Sequence, residues 1–79
     1  MSSEGAVVAP TWTLADRMRK AREAAGFDQS ALARSLGISR NSVSNYETGR
    51  THPHQPVREL WAQRCGVPYE WLTGGEPAG

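Results

Sequence analysis

Three residues, Gly37-Ile38-Ser39, joining two short amphipathic stretches constrain this chain more than any other feature. Before them, Gln29–Leu36 reads as a helix capped by Asp28, with Leu32, Ala33 and Leu36 inward and Arg34 outward. After them, Arg40–Thr48 reads as a helix capped by Ser39 and stopped by Gly49. So short a joint makes the two helices cross steeply instead of lying antiparallel. A close crossing needs a small residue at the contact, which Ala33 provides. It also needs apolar groups beyond the turn, and Ile38, Val43 and Tyr46 supply them. Gly37 provides the left-handed or tight backbone that ends the first helix.

Helical periodicity continues on both sides of this bihelical unit. Leu14–Ala25 places Leu14, Met18, Ala21 and Ala25 on one face, opens on a Thr13/Asp16 capping box and ends at Gly26. Pro56–Cys65 carries the stripe Val57, Trp61 and Cys65, and Pro68–Thr73 forms a last short helix with Trp71 and Leu72. Residues 1–12 and 75–79 are small, polar and aperiodic, and are expected to be a flexible arm and a flexible tail. The expectation is one compact all-α domain of five helices over 13–74, with no strand pattern.

With 79 residues, one modest core is all that the chain can bury. Its single cysteine, Cys65, excludes an internal disulfide, lies on the apolar side of a helix and is expected to be a small hydrophobe in a reducing compartment. Cys65 with His52 and His54 matches no metal pattern, so no metal or cofactor is expected. No apolar run approaches a membrane span, and the first residues do not resemble a signal peptide. No Ser/His/acid or Cys/His arrangement appears, which argues against an enzyme. Hydrophobic content of 38% with 22% charged residues fits a soluble, folded, cytoplasmic domain. Net charge is only +1, so the placement of charges, not their sum, must indicate a partner.

That placement is informative on the helix Arg40–Thr48. With Val43, Tyr46 and Glu47 inward, its other face carries Asn41, Ser44, Asn45 and Thr48, flanked by Arg40 and without an acid. Asn, Ser and Thr are weak helix formers, and an ordinary solvated face carries Glu and Lys instead. Asn pairs bidentately with adenine and Arg with guanine, and hydroxyls meet several base edges, so the face suits the major groove of double-stranded DNA. Behind it, Arg22 on the apolar side of the first helix and Glu47 would each be costly to desolvate alone. They are therefore expected to pair. Arg17, Arg19 and Lys20, interleaved with Asp16 and Glu23, are expected to form a solvated helix face.

Gln29 through Arg50 resembles the helix-turn-helix of the phage-repressor/Cro (XRE) family, with Gln29, Ala33, Gly37, Val43, Glu47 and Gly49 at the family's intervals. Trp61-Ala62, Cys65-Gly66-Val67 and Trp71-Leu72-Thr73-Gly74 resemble that family's closing helices. The resemblance covers about Leu14–Gly74 and implies a lambda-repressor-like DNA-binding fold. It also implies base reading by Arg40, Asn41, Ser44 and Asn45, and phosphate contact by Gln29, Ser39, Thr48 and Arg50. An Arg22–Glu47 structural ion pair is part of the same pattern. Two departures stand out. Arg40 and Asn41 stand where relatives often carry Gln, and the loop after Gly49 reads Arg50-Thr-His-Pro-His, less basic than is usual.

The expected function is a transcriptional regulator, a phage immunity repressor or Cro-like protein on an operator. An antitoxin or restriction-modification controller autoregulator, or a protein-interaction module without DNA binding, are the alternatives. One such module buries limited surface, so a homodimer on a near-palindrome is expected, with Leu60, Trp71 and Leu72 as candidate contacts.

Overall fold

The computed structural model describes residues 12–74. The arm and tail expected at 1–12 and 75–79 lie outside them, apart from Trp12. Five helices follow one another: α1 (Leu14–Ala24), α2 (Gln29–Leu36), α3 (Arg40–Glu47), α4 (Gln55–Cys65) and α5 (Tyr69–Leu72). Among the described residues there is no β-strand, and no helix is long and apolar enough to cross a membrane.

Local chemistry sets the helix starts. Thr13 Oγ1 accepts from the Asp16 amide at 3.1 Å while Asp16 Oδ2 accepts from the Thr13 amide at 3.0 Å, a reciprocal box. That backbone bond holds the Asp16 carboxyl below the usual carboxylate range. Asp28 Oδ1 caps α2 through the Ala31 amide at 2.7 Å, and Ser39 Oγ caps α3 through Ser42 at 3.0 Å. At the α2–α3 joint Gly37 adopts φ +72°, and the Ile38 amide donates back to Ala33 O at 3.0 Å. An L side chain is strained in that conformation, which explains the glycine. Several ends shift by one residue from expectation. α4 begins at Gln55, one residue before Pro56, and Ala25, Thr48, Pro68 and Thr73 are flanking caps.

α3 packs on α2 and α1, while α4 contacts α2, α1 and α5. Their shared core holds Met18, Ala21, Leu32, Ala33, Val43, Trp61, Ala62, Cys65 and Leu72. Trp61 is fully buried, and its indole N–H donates to Met18 O at 3.0 Å, so its one polar atom is satisfied. Tyr46 of α3 meets the Trp61 ring edge-on at 6.3 Å, which ties the third helix to the fourth.

Leu72 was a candidate dimer contact, but it is fully buried, because α5 turns it into the core against α1 and α4. Arg17 does not belong to a solvated face. Its guanidinium carbon lies 5.7 Å from the Trp12 ring centroid and 5.2 Å from that of Trp71, and its Nη1 donates to Trp71 O at 3.2 Å. Trp12 and Trp71 meet edge-on at 6.4 Å, so residues at opposite ends of the described chain form one aromatic–cationic cluster. Arg19 remains at the surface in an i,i+4 pair with Glu23, and Lys20 is exposed.

Candidate nucleic-acid interface

The rear of α3 is held by a charged network. Glu47 is 7% exposed, a burial that an isolated carboxylate would not tolerate. Arg22 answers it with a fork, Nε to Oε2 at 2.6 Å and Nη2 to Oε1 at 3.1 Å. This contact holds the Arg22 guanidinium above its ordinary range, against the opposing effect of burial. A third donor arrives from α2, where Gln29 Nε2 lies 3.1 Å from Glu47 Oε1. Arg22 also gives Nη1 to Phe27 O at 2.9 Å, which secures the α1–α2 connection. One carboxylate at the end of α3 thus gathers donors from both helices beneath it.

Gln29 was expected to face a phosphate, with no role assigned behind α3. The missed contact had a signal: an ionised carboxylate has about four acceptor positions, and one arginine fork fills only two. A further donor was therefore needed, and the first residue of α2 carries one.

The outer face differs in every respect. Arg40 and Asn41 are exposed, Ser44 and Asn45 are half-buried, and no side chain of the four hydrogen-bonds among the described residues. They are brought together on one side of a helix whose opposite side holds Val43 and Glu47. The residues expected at phosphates fall into two groups. Ser39 Oγ is occupied by the Ser42 amide and Ser42 Oγ, and Thr48 Oγ1 donates to Ser44 O at 3.0 Å, so both hydroxyls serve the helix ends. Arg50 is exposed, and among the described residues only its backbone is engaged, the amide donating to Asn45 O at 2.9 Å. Gln29 lies between these cases, since its amide nitrogen has a second hydrogen.

Two short helices crossing on a three-residue joint, inside a five-helix bundle, define a helix-turn-helix domain. Residues 13–71 match the helix-turn-helix domain family, and the chain belongs to it. Among its relatives is the SPbeta prophage-derived uncharacterized HTH-type transcriptional regulator YonR of Bacillus subtilis (strain 168), 30% identical over 63 residues. That match takes in 80% of this chain, which spans 58% of the relative's length. In fold, the chain is similar to the P22 c2 repressor protein, solved in complex with synthetic operator 9T in the presence of Tl+. The TM-score is 0.73 at 22% identity, covering 81% of this chain and 97% of the other.

Proposed function

We propose that this chain is a sequence-specific, double-stranded DNA-binding transcriptional regulator, a repressor of the phage immunity or Cro-like kind. The observation that carries this reading is the outer face of α3: a guanidinium, two carboxamides and a hydroxyl with no partner among the described residues and no acid among them. Such groups suit base edges in a groove that accepts one helix. The rear anchoring adds to the case, because a reading helix must keep its register. Arg40, Asn41, Ser44 and Asn45 read bases. Arg50, the second Gln29 amide hydrogen and the N-terminus of α2 meet phosphates, with Ser39 and Thr48 at the edge of the contact. The relative named as a transcriptional regulator and the operator complex of the P22 repressor point the same way.

The protein works by binding in the cytoplasm, without catalysis, and as a homodimer in which Leu60 and Trp71 remain the candidate contacts. Half-sites then lie about one helical turn, roughly 34 Å, apart. Selection of bound sites from random duplexes, followed by a footprint, tests the proposal. A recovered consensus with two half-sites, and affinity falling by about 0.9 log units per log salt for each phosphate met, is the expected outcome. Failure to enrich any sequence, together with a salt-insensitive protein complex, would replace it with a protein-interaction module.

A further inference from the structure

A cleft of about 330 Å³ is lined by Leu14, His52, Arg58, Tyr69 and Thr73, none of them a residue of α3. It brings together the first turn of α1, the α3–α4 loop, α4 and α5. Its volume is at the lower end of the range that holds small molecules, about 300–1,000 Å³. No carboxylate is among its lining residues.

Arg58 is held rigidly at this cleft. Its Nη1 donates to Pro53 O at 2.7 Å and its Nε to the Tyr69 hydroxyl oxygen at 3.2 Å, and Pro53 itself is fully buried. Those contacts use two of the five N–H groups of a guanidinium, and the Nη2 pair has no partner among the described residues. Tyr69 accepts from Arg58, so its own O–H hydrogen points elsewhere. Thr73 gives its hydroxyl hydrogen to Tyr69 O at 3.2 Å and offers the cleft only oxygen lone pairs. Leu14 and the Tyr69 ring supply apolar wall. The result is a fixed cation, a free hydroxyl donor and an exposed imidazole beside a hydrocarbon surface.

We propose that this cleft binds a small organic anion, a carboxylate or phosphate monoester with a single-ring-sized apolar body. The guanidinium and the Tyr69 hydroxyl take the anionic oxygens, and Leu14 and the Tyr69 ring take the body. Ordering costs little because Arg58 is already immobilised by Pro53 and Tyr69. The site does not depend on DNA binding.

Titration of the isotope-labelled full chain with phenyl phosphate, benzoate and inorganic phosphate, followed by heteronuclear NMR, tests it. Saturable shifts at Leu14, His52, Tyr69 and Thr73 with either aromatic anion are expected, with inorganic phosphate about tenfold weaker or more. Tyr69→Phe, which removes one oxygen and leaves the ring, should weaken phenyl phosphate about tenfold. His52→Ala keeps the fold in any case, since His52 is exposed and has no partner among the described residues. It should weaken binding in the same sense. Equal binding of inorganic phosphate removes the apolar half of the proposal. Shifts spread equally over Arg34, Arg40 and Arg64 overturn it. So does a random-sequence duplex that moves the cleft signals when phenyl phosphate does not, since the cleft would then be a backbone-phosphate contact.

Discussion

The two sides of α3 use polar groups in opposite ways. On the rear, Glu47 is enclosed and accepts from Arg22 and Gln29 at 3.1 Å or less. On the front, Arg40, Asn41, Ser44 and Asn45 have no internal commitments among the described residues. Buried charge placed in this way contributes little net stability but is costly to break, so it fixes position. Unpaired polar groups at a surface contribute little to folding and are free for a partner. Polar residues in one eight-residue helix thus divide into those already satisfied within the fold and those left open among the described residues.

The largest way to break this contrast is Glu47→Ala. It strands the Arg22 guanidinium and should cost about 3–5 kcal/mol of stability in urea unfolding. A loss under about 1 kcal/mol would mean that the rear network is not what holds α3. Asn41→Ala and Asn45→Ala should do the reverse, leaving stability within about 0.5 kcal/mol. Each should weaken the selected site by about 1–3 kcal/mol and relax its base preference. Equal loss on random DNA would move either residue out of the base-reading set. Asp28→Ala removes the α2 cap and should lower stability by about 1 kcal/mol, with base preference unchanged in binding-site selection.

The smallest effect concerns Cys65, close to the rear network. Burial pushes its thiol up to about 11. The fold therefore favours the neutral thiol, a contribution fully present below the ordinary thiol range and lost as pH climbs from there towards about 11. Labelling by a disulfide reagent at pH 8 should be slow in the native protein and rapid in urea. Glu47→Gln should speed native labelling if the rear network keeps this part of the core closed.

Much of this contrast was readable in the residues, because it is local. The caps at Thr13, Asp28 and Ser39, the joint at Gly37 and the unusual front of α3 all depend on neighbours within a few positions. Arg22 and Glu47 could be paired because each would be intolerable alone. What escaped was set by distant packing. Arg17 meets Trp71 across 54 positions, a contact that no helical period announces. Leu72 looked available because its short helix carries too few residues to define a face. The Gln29–Glu47 contact is equally hidden, because the resemblance implies only a phosphate partner for Gln29 and the demand for this donor comes from Glu47, 18 positions away.

The satisfied rear of α3 also bears on how such a chain could change over generations. Since the anchoring uses none of the four front side chains, those positions can be exchanged while the helix stays seated. Under the proposed base-reading role of this face, new target preferences are then reachable by single substitutions that leave the protein folded at every step. The converse holds at Glu47, where drift is confined because three helices converge on it.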